Sequence, residues 1–411
     1  MEITARPEVI SLAGGLPDTS TFPAASFAAQ MTRIAQESSA EALQYGPTEG
    51  FEKTKDCVVE VMGAEGMAPD HEDIIITTGG QQAIDLVCKT LIDPGDLVIA
   101  EAPTYPGAIP VFCSYQAEVE QIEVDRDGMV VERLVERLDA HARKGRRPKF
   151  IYTVPTFQNP AGVTMSTDRR TALIELARER ELLVVEDNPY GLIRFEGEAP
   201  PTLYSLDGGD FVLYLGTFSK ILSPGIRLGW LCAPPPLMAK VVLGKQASDL
   251  CTSTLTQFFV HEYFRSDDWR DYVESVCSIY RERRDAMLDG LARYFPKQAD
   301  WTTPQGGLFV WATLPDYIDT TDLLAKALRE NVAFVPGAAA FLDGRGGNSM
   351  RLNFSAQTSE EIGEGIRRIG AVIGEQVSLF ETITGEHPIA PASGEGSSGD
   401  EGGEVLPLRP R

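Results

Sequence analysis

The sequence has six cysteines, and no two of them are spaced as Cys-x-x-Cys. Only four histidines are present to help complete a metal site. Both shortages argue against a zinc centre, and no metal is expected. Cys57, Cys88, Cys113, Cys232, Cys251 and Cys277 read instead as reduced, mostly core residues of a cytosolic chain. Positive charge is scarce too: 37 Lys plus Arg face 60 Asp plus Glu, a formal net charge of −23. Nucleic acid and anionic membranes both need a basic footprint, so neither is expected as a partner. No run of about 18 apolar residues occurs, so no spanning helix is expected. The opening MEITARPEVI lacks a basic segment followed by an apolar one. No signal peptide is therefore expected, and the cytoplasm is the expected location.

What is present is an ordinary globular balance, 43% hydrophobic and 24% charged over 411 residues. The length suggests two or three domains. Short apolar runs rich in β-formers recur at 74–78, 97–102, 119–124, 150–155, 182–187, 211–217 and 228–234. Amphipathic stretches separate several of them, most clearly 81–92 and 167–181. Strands apolar throughout and alternating with helices predict a mostly parallel sheet covered on both faces. The expected fold is α/β: a large domain over 41–285 with a seven-stranded sheet flanked by helices. A long helical pattern at 267–295 leads to a smaller α+β domain, 286–383. Its strands are expected at 306–314, 332–336 and 349–355, followed by a helix at 359–383 capped by Ser359. Residues 1–40 are expected to pack on this smaller unit. The Gly-, Ser-, Pro- and acid-rich end, 384–411, is expected to be a disordered tail.

The chemistry-bearing residues fall at strand ends. TFSKILSPGIRLGW (217–230) sets Lys220 just after a core strand, with Thr217 and Ser219 before it and Arg227 after it. Buried lysines are rare unless paired. Hydroxyls and a guanidinium at one strand end suit a phosphate. A loop cap would explain any one hydroxyl, but not the combination with lysine. VVEDNPYG (184–191) ends a strand on Asp187, which reads either as a turn residue or as a fixed anion beside a ring nitrogen, with Tyr190 three residues on. TVPTFQNPAG (153–162) offers Asn159, whose amide could hold a ring oxygen or a carboxylate. TTGGQQAIDLV (77–87) runs from strand through glycines into a helix, an anion-binding geometry. Tyr105 follows the next strand and could stack on a flat ring. Ligands of open α/β sheets bind beyond the carboxyl ends of the strands, so these pieces converge. A phosphate pocket, a ring-nitrogen anion and a lysine are the set that pyridoxal phosphate needs.

The chain resembles the class I aminotransferases of the pyridoxal-phosphate fold-type I superfamily, above all the 2-aminoadipate, branched-chain and aromatic group. The resemblance rests on SLAGGLPDTSTFP (11–23), LQYGPTEG (43–50), ITTGGQQAIDLV (76–87), FQNPAG (157–162), VVEDNPYG, TFSKILSPGIRLGW, GGLFVW (306–311), NVAFVPG (331–337) and MRLNFS (350–355). It implies that Lys220 carries the coenzyme as a Schiff base and that Asp187 pairs with its ring nitrogen. It implies Tyr190 and Asn159 on the ring oxygen and Tyr105 on the ring face. It assigns Gly80, Gln81, Thr217, Ser219 and Arg227 to the phosphate. Arg351 would bind the substrate carboxylate, with Asn159 and Gly15 beside it. Tyr45 would reach the phosphate of a second subunit, so a homodimer is implied. Members carry a longer segment before the first motif, whereas Met1 lies ten residues before Ser11. Either that arm is absent or the start is late.

The implied reaction is ping-pong amino transfer between an L-amino acid and a 2-oxo acid such as 2-oxoglutarate, with the Lys220 amine as base. Two rivals share the fold: a lyase or decarboxylase using the same lysine, and a non-catalytic effector-sensing domain of a transcription regulator. The acidic balance and the early start of the motifs disfavour the second.

Overall fold

The structure is a computed structural model and describes residues 6–385. The tail expected from 384 therefore lies outside the described residues from 386 onward. In chain order the elements are β1 (Ile10–Ser11), α1 (Ala24–Glu37), α2 (Ser39–Ala42), α3 (Glu52–Ala64), β2 (Ile74–Thr77), α4 (Gly80–Leu91), β3 (Leu97–Ala102), α5 (Ile109–Ser114), β4 (Glu118–Asp125) and β5 (Gly128–Met129). There follow α6 (Val131–Ala142), β6 (Pro148–Thr153), α7 (Thr167–Arg180), β7 (Leu183–Asp187), α8 (Leu203–Asp207), β8 (Val212–Thr217), β9 (Gly229–Cys232), α9 (Pro235–Asp249), α10 (Thr254–Ser266) and α11 (Trp269–Tyr294). The last are β10 (Asp300–Trp301), β11 (Phe309–Thr313), α12 (Thr320–Ala327), β12 (Val332–Ala333), β13 (Val335–Pro336), β14 (Ser349–Asn353) and α13 (Ser359–Thr384).

The large sheet has eight strands in the order β2-β9-β8-β7-β6-β3-β4-β5, not the seven expected. The extra strand is β5, which folds back antiparallel on Val124–Asp125 and is only two residues long, too short to leave a periodic signal. The centre is parallel, from β8 through β7, β6 and β3 to β4, and β9 runs antiparallel between β8 and β2. Its central strands are buried along most of their length, as helices on both faces require. Register places Asp187 opposite Leu215, and Thr217 opposite Gly229, so the ends of β7, β8 and β9 lie side by side.

A second sheet has the order β10-β11-β14-β13. The run 332–336, expected as one strand, divides. Val332–Ala333 pairs with β1, while Val335–Pro336 pairs with β14. Successive residues of that run serve different sheets, which a continuous apolar pattern conceals. The segment expected over 1–40 also has two destinations: β1 lies on β12, whereas α1 runs along α10, with Phe27 edge-on to Phe259 at 5.2 Å. The terminal helix α13 is capped by Thr358, not Ser359. Thr358 Oγ1 accepts from Glu361 N, and the Glu361 carboxylate accepts from Thr358 N, a capping box whose Thr-x-x-Glu spacing puts the cap one residue earlier while the helix starts at 359 as expected.

Candidate active site

The parallel strands of the large sheet end at a cavity of about 430 Å³. Its walls contain every site residue expected from the sequence except Tyr45: Gly15, Gly80, Gln81, Tyr105, Asn159, Asp187, Tyr190, Thr217, Ser219, Lys220, Arg227 and Arg351. Tyr45 is 78% exposed on the outer surface and does not touch this cavity.

Lys220 follows β8, and its Nζ donates to Gly15 O at 2.7 Å. Burial, with Arg351 and Arg227 adding repulsion, lowers its pKa to about 8. A lysine so placed is neutral in an appreciable fraction near physiological pH, which a nucleophile or base requires. Asp187 ends β7 and accepts from the Tyr152 hydroxyl at 2.6 Å. Burial raises its pKa to about 6, against the hydrogen bond from Tyr152, and buried Glu101 adds to the rise. No cation pairs with it among the described residues. The carboxylate is therefore desolvated and held without a positive partner, the situation in which a bound cation is favoured most.

One wall gathers donors of the kind that suit an anion. Thr217 Oγ1 donates to Ser219 Oγ at 2.8 Å and accepts from Ser219 N at 3.1 Å, so the two hydroxyls are locked together. Arg227 sits at φ 50°, a left-handed conformation that turns its guanidinium back onto the β2–α4 turn. There Nη2 donates to Thr78 O at 3.4 Å. The turn needs glycine: Gly79 has φ 78°, and a Cβ there would lie 2.5 Å from Arg227 Nη2. Helix α4 starts directly after it, and the first N–H groups of a helix have no intrahelical acceptor. Gln81 Nε2 donates to Gly107 O at 2.8 Å, which closes the rim beside Tyr105.

The opposite wall comes from the second sheet. Arg351, on β14, donates through Nη1 to Asn159 Oδ1 at 2.9 Å and through Nη2 to Ala13 O at 2.7 Å. Its Nε is buried without a hydrogen-bond partner. The guanidinium lies over the Phe309 ring, 4.4 Å from the centroid. Asn159 Nδ2 in turn donates to Tyr190 OH at 3.3 Å. Burial raises the Tyr190 pKa, so the phenol stays protonated. A Cβ at Gly15 would meet Phe309 at 3.1 Å, a tight contact to which the ring would have to yield.

Two contributors were not singled out from the sequence. Tyr152 lies inside an apolar strand, where a tyrosine reads as packing, and only the structure shows its hydroxyl on Asp187. Glu101, in EAPTYPG, is buried and accepts from Thr153 Oγ1 at 2.5 Å, Val154 N at 3.2 Å and Gln158 Nε2 at 2.9 Å. It thereby pins the turn that carries Asn159. Its sequence signal was an acid inside the apolar run LVIAEA.

Residues 7–369 match the family described as Aminotransferase class I and II. The chain is 43% identical to an aromatic-amino-acid aminotransferase of Thermococcus litoralis over 92% of this chain and 91% of that one. It superposes with TM-score 0.88 and 41% identity on a kynurenine aminotransferase of Pyrococcus horikoshii in complex with PMP, covering 92% and 93% of the two chains. With TM-score 0.85 and 39% identity it also matches an α-aminoadipate aminotransferase of Thermus thermophilus complexed with N-(5'-phosphopyridoxyl)-L-leucine, over 91% and 94%. Likeness on this scale, in sequence and in shape, extends over the strands and turns that build the cavity: the chain belongs to the class I and II aminotransferases and is a pyridoxal-phosphate-dependent enzyme.

Proposed function

We propose that Lys220, Asp187 and Arg351 divide the work of amino transfer between an L-amino acid and a 2-oxo acid in this cavity. The observation that carries the assignment is the convergence on one space of a lysine with its pKa lowered to about 8, an unpaired buried carboxylate and a buried arginine with a free Nε. The residues fit the coenzyme by their own chemistry. Gly80, Gln81, Thr217, Ser219 and Arg227 supply N–H, hydroxyl and guanidinium donors for its phosphate. Asp187 supplies the anion for its ring nitrogen, Tyr190 and Asn159 supply donors for its ring oxygen, and Tyr105 borders its face. When bound, pyridoxal phosphate supplies a carbonyl carbon for the amino group and an electron-withdrawing ring.

The remaining chemistry belongs to the chain. Asp187, ionised, would face the ring nitrogen and favour its protonated form. Lys220 Nζ, neutral in part near pH 8, removes the proton from substrate Cα and returns it elsewhere on the reacting system. Arg351 holds the substrate α-carboxylate, and Asn159 and Ala13 O hold Arg351. That clamp fixes which Cα bond is presented to the base. Phe309, beneath the guanidinium and edge-on to Tyr190 at 6.0 Å, keeps water from this side.

The donor is proposed to be a 2-aminoadipate, branched-chain or aromatic amino acid, with 2-oxoglutarate as acceptor. The names of the relatives support the aromatic and aminoadipate donors, and the exposed apolar side chain of Leu16, next in sequence to Gly15 of the cavity wall, supports an apolar one. The working form is proposed to be a cytoplasmic homodimer in which Tyr45 of each chain completes the other chain's phosphate seat. Its exposure on a single chain supports that role. The divisions 41–285 and 286–383 are proposed as the main structural units, joined through the continuous helix α11, with 1–40 shared between them through β1 on β12 and α1 on α10. The test is a panel of amino donors assayed against 2-oxoglutarate. Formation of glutamate with each productive donor supports transfer, whereas ammonia or carbon dioxide release without glutamate would replace it with elimination or decarboxylation.

A further inference from the structure

Lys245, inside α9, has no role in the chemistry above, yet its side chain is completely buried. Its Nζ donates to Asp249 Oδ1 at 2.8 Å and Oδ2 at 3.0 Å, to Thr252 Oγ1 at 2.8 Å and to Gln82 Oε1 at 3.1 Å. Asp249 Oδ2 also accepts from Gln82 Nε2 at 2.7 Å and from Thr78 Oγ1 at 3.0 Å. Gln82 Oε1 accepts from Thr78 N at 2.7 Å. Thr252 Oγ1 donates its own proton to Ile76 O at 3.2 Å, on β2. The network thus gathers onto the last residues of β2 and the first turn of α4.

Thr78 is the point of convergence. Its N and Oγ1 belong to this half-buried network, and its carbonyl accepts from Arg227 Nη2 at 3.4 Å. Gly79, Gly80 and Gln81, which border the anion-binding wall, follow it directly. Lys245 is fully buried while 26% of the Asp249 side chain is exposed; an ammonium taken out of water is a poor device for stability alone, because its desolvation offsets much of the attraction. It is a good device for fixing one geometry, because the Lys245 ammonium meets four acceptor atoms at once and Asp249 Oδ2 accepts from three donors, so no member moves without breaking bonds to the others.

We propose that Lys245 and Asp249 are positioning residues for the coenzyme phosphate: from behind, they hold the Thr78–Gln81 turn so that its N–H groups and Arg227 face a single point. The inference rests on the phosphate seat proposed above and adds the residues that set its shape.

The test compares two probes on the apoprotein, pyridoxal 5'-phosphate and pyridoxal, which lacks the phosphate. Lys245→Met removes the charge and retains bulk, and Thr78→Val removes one hydroxyl from the edge of the network. For Lys245→Met the dissociation constant for pyridoxal phosphate is expected to rise about tenfold or more, and that for pyridoxal less than about threefold. Thr78→Val, which threatens folding least, should show the same selectivity at about threefold. Equal weakening of both probes in both variants would overturn the inference and leave a helix staple. Arg227→Ala separates the two readings. If it discriminates between the probes and Lys245→Met and Thr78→Val do not, the seat stands and the positioning role falls. If Arg227→Ala itself fails to discriminate, the seat is misassigned and the inference falls with it.

Discussion

Arg351 Nη1 donates to Asn159 Oδ1 at 2.9 Å, and this one bond joins the second sheet to the turn after β6 of the large sheet. The guanidinium is thereby oriented before any substrate arrives. Arg351→Ala is expected to raise KM for amino acids by roughly 10²–10³-fold, the loss of two charge-assisted hydrogen bonds. Amines lacking a carboxylate should be affected far less. Steady-state kinetics on paired substrates check this, and equal losses for both would remove the clamp.

Lys220→Ala should leave a folded protein with a melting temperature near that of the parent and turnover lower by roughly 10²–10⁴-fold or more, the contribution of a positioned base. Exogenous small amines should restore part of the rate. A variant that transfers amino groups at close to the parental rate would show that the base lies elsewhere.

Asp187→Asn separates function from stability. Its pKa is raised from 3.8 to about 6, so the folded chain binds more protons than the unfolded chain between those values. Ionised Asp187 therefore costs the apoprotein roughly 3 kcal/mol above pH 6, and nothing below both values. In the apoprotein, Asp187→Asn is expected to raise stability by up to that amount at pH 7. The gain should fade as pH drops from 6 through 3.8, while activity of the loaded variant collapses. Denaturant melts at several pH values check the sign, and a gain that grows toward acid would contradict it.

Tyr45→Phe removes one hydroxyl from an exposed residue and should leave the fold unchanged. If Tyr45 completes a neighbour's phosphate seat, affinity for pyridoxal phosphate should fall by roughly 10–100-fold, the range for a hydrogen bond to a charged group. Sedimentation should show a dimer for parent and variant alike. Unchanged affinity, or a monomeric parent, would refute the shared site.

How much was legible depended on which face a residue's type could report. The run LVIAEA gave β3 with its bounds, because a strand buried on both faces is apolar throughout and is bounded by turn residues. Lys220, Asp187 and Arg227 were legible because charge at the end of such a run is anomalous. Lys245 was not: a lysine within a helix that mixes polar and apolar residues reads as a solvated face, and its burial depends on α4 packing across it. Tyr152 was hidden in the same way, its ring indistinguishable from core until the hydroxyl met Asp187. The division of 332–336 between two sheets depended on partners far along the chain, to which local pattern is blind.

The carbonyl that steadies Arg351 belongs to Ala13, 338 positions earlier in the chain. The proposed carboxylate clamp is therefore assembled from residues near the two ends of the described chain, and neither end supplies it alone. A product terminated just short of that arginine would lose the strand that β11 and β13 both pair with, and with it the support of one cavity wall.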